Sequence, residues 1–290
     1  MPGCMNKLKS GMAKYLAIGL IALICLGCGY DKLATTGEVV PPYPEWEPGG
    51  LATDNAGKVY VADVGNGTAL VEILNSDGAG VGSLGEKARD TVLPLDVAIG
   101  KDGVVWISIA QPPKIIRLND KGKIDKQILD NRIVFPEALD VDVQGRLWIA
   151  DSETNELLVA DNDGNIVMTL GKALGLNCPT DVTAAGSRMF EADFGNNRIV
   201  AVDLAGQPVT TWQVDGASPL KVASQGELVV VGAATEENQC KKFQMIRYST
   251  NGRLIDNYPL VLDSLDGLAV APKGKIYLAS SISHKVITMQ

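Results

Sequence analysis

The strongest constraint on this chain is its repetition. Similar openings recur at Pro48-Gly-Gly-Leu-Ala, Pro94-Leu-Asp-Val-Ala, Pro136-Glu-Ala-Leu-Asp, Pro179-Thr-Asp-Val-Thr, Pro219-Leu-Lys-Val-Ala and Leu265-Asp-Gly-Leu-Ala. Their spacings are 46, 42, 43, 40 and 46 residues, so six units of one kind fill the chain from residue 48 onward. A unit of this length cannot bury its apolar residues alone and stacks on copies of itself.

Each unit has the same internal order. Its opening leads to a turn glycine, Gly57, Gly103, Gly145, Gly186, Gly226 or Gly274, where a tight hairpin needs positive φ. A second segment carries a large residue at a fixed place, as in Tyr60-Val-Ala-Asp, Trp106-Ile-Ser-Ile, Trp148-Ile-Ala-Asp, Phe190-Glu-Ala-Asp and Tyr277-Leu-Ala-Ser; unit five diverges, with Val230-Val-Gly-Ala. A third segment begins at Leu70, Ile115, Leu157, Ile199, Met245 and Val286, and in five units a second glycine turn leads to a fourth. Short aliphatic runs joined by glycine turns read as strands, and no helix-length amphipathic period competes.

Four-stranded sheets repeated radially make a β-propeller, whose blades stack with both faces buried. The expected fold is all-β, a six-bladed β-propeller of four-stranded antiparallel blades. The Pro-x-Gly-Leu-Ala opening, the hairpin glycine, Tyr60-Val-Ala-Asp and Gly195-Asn-Asn-Arg-Ile together resemble NHL repeats, best in units one, three and four. The resemblance spans Pro48 to Gln290 and implies a rigid interaction platform. A minority of that family are lyases whose metal is held by several histidines, and this chain has one, His284. Unit two departs from the pattern at Gln111-Pro112-Pro113, and unit five inserts Glu236 to Lys242. Loops on a rigid scaffold carry function, so Pro112, Pro113, Glu236, Glu237, Lys241 and Lys242 are candidate partner-binding residues, in a short turn and in a long loop from Ala234 to Phe243.

The sixth unit ends after three strands, which leaves an open sheet edge at the ring seam. Gly37-Glu-Val-Val40 is the spare strand-like stretch, so it is expected to form the outer strand of the last blade and close the ring. Residues 28–47 are thus an N-terminal segment with a ring-closing strand, and 48–290 the propeller. Residues 1–27 read as an address. Lys7, Lys9 and Lys14 precede an uncharged run from Tyr15 to Leu26, too short for a bilayer span of about 20 apolar residues and typical of an export signal. Gly27-Cys28 resembles the lipobox of bacterial lipoproteins, although Cys25 stands where Leu is usual. This implies lipidation at Cys28 and a mature chain anchored to, rather than spanning, a membrane of the bacterial cell envelope. Gly29 in place of Asp resembles the pattern sent to the outer membrane or cell surface.

Without residues 1–27 the chain keeps 23 Lys+Arg against 34 Asp+Glu, a net charge of −11. Nucleic acid is excluded as a partner, since its phosphates are gripped by clustered basic residues. An envelope protein or glycan is expected instead, met by a monomeric propeller. Cys4 and Cys25 leave with the signal, so Cys178 and Cys240 remain beside Cys28, either bridged or as two separate thiols.

Propeller ligands meet the mouth of the channel, where inner strands begin. Those positions hold Gly50, Asp96, Ala138, Asp181, Lys221 and Gly267, with Glu137 and Asp266 beside them. Asp96, Glu137, Asp181 and Asp266 are a candidate set for Ca2+; the same acids can cap turns and pair with Lys221. Leu265-Asp266-Gly267-Leu268 is similar to a segment of six-bladed lactonases of the gluconolactonase type, which hold one divalent cation with Glu, Asn and Asp. No inner-strand Asn accompanies it here, and Glu45-Trp46 poorly matches their Glu-Gly-Pro-x-Trp. A divalent-cation-dependent lactonase-like hydrolase is therefore the alternative to a non-catalytic binding scaffold, and no cofactor other than Ca2+ is expected. No phosphate loop, haem motif or EF-hand spacing is present. His284 is aligned with Arg198 of unit four, a hydrogen-bonding place rather than a catalytic one. Asp63, Asp151 and Asp193 share one repeat position and read as loop-fixing acids, Asp193 paired with Arg198.

Overall fold

The computed structural model describes residues 37–39, 43, 46–65, 68–87, 92–100, 102–237 and 240–289. The export signal and Cys28 lie outside these residues. The strands form six sheets of four antiparallel strands, each in sequence order from the axis outward except the last. Blade three runs Pro136–Val141, Leu147–Asp151, Glu156–Ala160 and Ile166–Thr169. The other inner strands are Pro48–Thr53, Val92–Ile99, Pro179–Ala185, Ser218–Gln225 and Gly267–Val270. The chain is a six-bladed β-propeller. Hairpins joining inner to second and third to outer strands make one rim, the turn rim. Second-to-third connections and passages between blades make the other, the loop rim.

The turn rim uses one local device. In blade three the Asp142 carboxylate accepts the N–H groups of Gln144 (2.8 Å) and Arg146 (3.0 Å), while Gly145, at φ 82°, donates its N–H to the Asp142 carbonyl at 3.0 Å. Asp54, Asn75, Asn119, Asp161 and Asp203 repeat the arrangement in their own turns. A side chain that mimics a backbone turn, followed by glycine at positive φ, sets the hairpin before any tertiary contact forms.

Blades stack through apolar seams. Trp106, Trp148, Phe190 and Tyr277, the large residues of four second strands, are buried against the following blade. The ring closes as expected. Gly37 pairs with Thr288 and Glu38 with Ile287, and the Val39 N–H donates to the Val286 carbonyl at 2.8 Å. Val39 and Trp46 then fill the seam between blades six and one beside Leu51, Val61 and Tyr277.

Two local expectations are corrected. The extra residues of unit five lie largely in strands rather than in a long loop. Leu228–Glu237 and Cys240–Ser249 pair throughout, with Thr235 opposite Lys242 and Glu236 opposite Lys241. Opposite charges facing each other across strands favour that pairing. The hairpin outruns its neighbours, whose last pairs are Ser218 with Ala234 and Leu260 with Phe243. His284 does not take the place of Arg198 either. Ser280 pairs with Lys285 as Asp193 pairs with Arg198. His284 falls one residue earlier, at φ 55°, where blade four has Asn197 (φ 55°) and blade three Asn155 (φ 59°). One left-handed residue ends each of these loops. Among the described residues no helix is long and apolar enough to cross a membrane.

Candidate functional site

The channel mouth is shaped by a recurring irregularity. Pairing between inner and second strands shifts between Pro94 and Asp96, Pro136 and Ala138, Pro179 and Asp181, and Pro219 and Lys221, with a wider shift between Pro48 and Leu51. Such a bulge bends the strand and re-aims the residue that follows. Glu137 is itself a bulged residue. All six inner strands line an axial cavity of about 160 Å³, whose walls include Gly50, Asp96, Asp140, Asp181, Lys221 and Gly267. Blades approach so closely here that a Cβ on Gly50 would lie 1.8 Å from Asp96 Oδ1.

The axial carboxylates tie blade to blade. Asp96 accepts the Leu139 N–H at 2.8 Å, Asp140 that of Ala184 at 2.7 Å, and Asp181 that of Val222 at 2.9 Å. One chain of staples thus runs from blade two to blade five. Burial pushes the Asp140 carboxyl up to about 6, its backbone hydrogen bonds opposing. Burial likewise raises Asp96 and Asp181, with the nearby Lys221 charge pulling the other way. Burial disfavours the Lys221 ammonium, but the charges of Asp181, Asp96, Glu137 and Asp266 outweigh it and push its pKa up. The four acids singled out in the sequence therefore act on one cation, the chain's own lysine.

They do not form a common coordination shell. Asp266 accepts the Ser281 N–H (2.7 Å) and Oγ–H (2.8 Å) and the Ser264 hydroxyl. Glu137 is not among the residues that line the cavity, and its Oε2 is buried without a hydrogen-bond partner. Among the described residues no three His, Cys, Asp or Glu side chains are grouped to hold a metal ion. With Asp96 and Asp181 spent on backbone N–H groups and the Lys221 charge acting on both, the mouth does not fit a divalent cation.

The recurring acids hold the loop rim. Asp151 accepts the N–H groups of Val134 (2.7 Å) and Phe135 (2.9 Å) and the Thr154 hydroxyl (2.9 Å). Asp193 accepts from the Asn177 N–H (2.7 Å) and from Arg198 Nε (2.6 Å). Asp63 accepts from the Gly65 N–H, Lys87 and the Tyr43 hydroxyl. His284 Nδ1 lies 2.7 Å from the Trp46 carbonyl and donates to it, fastening the N-terminal segment to blade six. Pro112 and Pro113 make an exposed turn on the same rim, where the blade-five hairpin also projects. Cys178 is buried there and disulfide-bonded; the Cys240 side chain lies outside the described residues.

Two residues of the interior escaped the sequence reading. Asp140 sits two residues along the strand from Ala138, on the same side by strand alternation, so it could have been found. Glu191 is the other.

No family model and no curated protein matches the chain. Among solved structures it resembles virginiamycin B lyase from Staphylococcus aureus, at 17% identity and a TM-score of 0.63 over 88% of this chain and 98% of that one. It also resembles Kuenenia stuttgartiensis hydrazine synthase, at 17% identity and 0.63 over 90% and 80%. A third is the PQQ-bound aldose sugar dehydrogenase of Streptomyces coelicolor, at 15% identity and 0.61 over 88% and 96%. At such identities the likeness shows the propeller fold, and one fold hosts many activities.

Proposed function

We propose that this protein is an exported, lipid-anchored NHL-type propeller of the bacterial cell envelope that binds a protein or glycan partner without catalysis. The observation that carries the reading is the state of the axis. Its carboxylates are committed to stapling blades and balancing Lys221, which leaves the projecting parts of the loop rim, Pro112-Pro113 and the hairpin tip at Glu236 and Lys241, to meet a partner. The mature chain's net charge of −11 favours a partner with a basic face. Crosslinked capture from native membranes tests this. A variant with Pro112→Ala, Pro113→Ala and Glu236→Ala is expected to lose at least about tenfold in partner recovery, a loss of about 1.4 kcal/mol, with unchanged melting. Full recovery by that variant would move the partner surface to the other rim, and turnover of any member of a lactone panel by the wild type would replace this reading with the lactonase-like one.

The reading also includes a diacylglycerol on Cys28 and a bridge between Cys178 and Cys240. Cys240 opens its strand on the loop rim, where Cys178 lies. Closing about 60 residues, such a bridge contributes roughly 2–4 kcal/mol. One measurement checks both features. Intact mass after denaturation and alkylation without reductant is expected to show the lipid adduct, loss of residues 1–27 and no alkylated cysteine. An unmodified Cys28 removes the anchor, and alkylated Cys178 and Cys240 remove the bridge.

A further inference from the structure

Lys221 is a buried charge with no direct partner. Its side chain is 8% exposed and lines the axial cavity, yet among the described residues no hydrogen bond or ion pair reaches its ammonium. The charges of Asp181, Asp96, Glu137 and Asp266 favour its protonated form across a gap rather than by contact. An ammonium has three donors, and buried polar groups in native chains are hydrogen-bonded. The cavity must therefore supply acceptor atoms.

The surrounding walls narrow the chemistry. Asp96, Asp140 and Asp181 line the same cavity, so acids outnumber the one ammonium. A simple anion is repelled by them, and a simple cation leaves the donors of Lys221 unmet. A molecule carrying both charges suits the site. A carboxylate has about four acceptor positions. Asp140 spends its own on the N–H groups of Val141 and Ala184, and Asp96 accepts from Leu139, so both keep positions for an ammonium. Asp96 also lies close enough for its charge to act on Asp140 as well as on Lys221. The volume of about 160 Å³ matches a cavity that holds benzene, with room for about six non-hydrogen atoms. A small amino acid such as alanine has that size.

We propose that the axial cavity binds a small free amino acid as its zwitterion, the carboxylate accepting from Lys221 and the ammonium donating to Asp96 and Asp140. This site does not depend on the partner-binding reading, whose contacts lie on the loop rim. Equilibrium dialysis and melting of the mature chain test it at millimolar solute, below the range in which solutes act by exclusion from the protein surface. Labelled glycine, alanine or serine is expected to bind at one site per chain and, at 100 times Kd, to raise the melting temperature by about 5–11 °C. Acetate and methylammonium carry one charge each, glycerol none, and trimethylglycine both charges but no N–H; all four are expected to leave melting unchanged. Asp140→Asn, which keeps an acceptor for the Ala184 N–H, and Lys221→Met, which keeps the side-chain length, are each expected to weaken binding at least about tenfold. Failure of the wild type to bind any of the three amino acids overturns the proposal. An equal response to glycerol or trimethylglycine overturns it too, as does full affinity in either variant; Asp140→Asn decides alone if Lys221→Met does not fold.

Discussion

A chain truncated to begin at Pro48 is expected to melt at least about 10 °C below the mature protein, or to associate through its exposed sheet edge. The N-terminal segment supplies two paired strand residues and the Val39 hydrogen bond to Val286, but its weight lies in burial, with Trp46 0% and Val39 2% exposed. Loss of a buried aromatic side chain alone costs about 3–5 kcal/mol. Val39 adds roughly 1.5–3 kcal/mol of burial, and His284 loses its carbonyl partner. Trp46→Ala isolates the packing part and should account for most of the fall. Thermal melting with light scattering reads both variants. Truncated chain that stays monomeric and melts within two or three degrees of the mature protein would show that five complete blades and a three-stranded sixth suffice.

Glu191 is buried with both carboxylate oxygens lacking a hydrogen-bond partner, and Glu191→Leu is expected to raise the melting temperature by about 2–12 °C. Removing an orphaned buried polar group recovers roughly 1–3 kcal/mol, and each kcal/mol moves a domain of this size by about 2–4 °C. The pH dependence follows from the direction of the shifts. Burial, then the charges of Asp193, Asp181 and Glu137, raise the Glu191 carboxyl well above its ordinary 4.5, and Asp140 is raised from 3.8 to about 6. The folded chain therefore keeps protons that the unfolded chain has released. Stability that is full below these ordinary values falls as pH rises from about 4 through 6 and beyond. Asp96 and Asp181 act in the same sense. Glu191→Leu should flatten the decline, and Asp140→Asn should remove its portion near pH 6. A variant that melts below the wild type at every pH would mean that Glu191 has a partner in solution.

Much of the fold is written locally, and for that reason was legible. Most hairpins place glycine at positive φ three residues after a turn-initiating residue, and that demand recurs whatever the surrounding sequence. The closing strand was legible by counting, because a three-stranded last blade requires a partner for its edge. What escaped depends on neighbours. Glu191 lies in Phe190-Glu-Ala-Asp, which reads as ordinary alternation, and alternation cannot reveal an acid misplaced on a sheet buried on both faces. Thr235 to Lys242 looked like a solvated loop because of its charges; the pairing of Glu236 against Lys241 becomes visible when the two strands are set in register. The acids of the mouth and their pairing with Lys221 were legible; the backbone N–H groups of the next blade as their partners were not. Whether a carboxylate binds a metal or a backbone N–H of the next blade is decided by blade spacing, which no single repeat encodes.

The closing strand also has a direction. It runs from Gly37, opposite Thr288 near the turn rim, up to Val39, opposite Val286 nearer the loop rim. The N-terminal end of this strand therefore lies on the side of the hairpin turns, opposite the rim that carries Pro112-Pro113 and the blade-five hairpin. For a chain anchored at Cys28 as proposed, nine residues can span at most about 30 Å, comparable to the thickness of a bilayer's hydrocarbon core. Under the proposed anchor the disk stays close over the lipid with its turn rim toward it and its loop rim outward. A partner embedded in the same membrane would have to reach around the edge of the disk, whereas one arriving from the aqueous side meets that face directly.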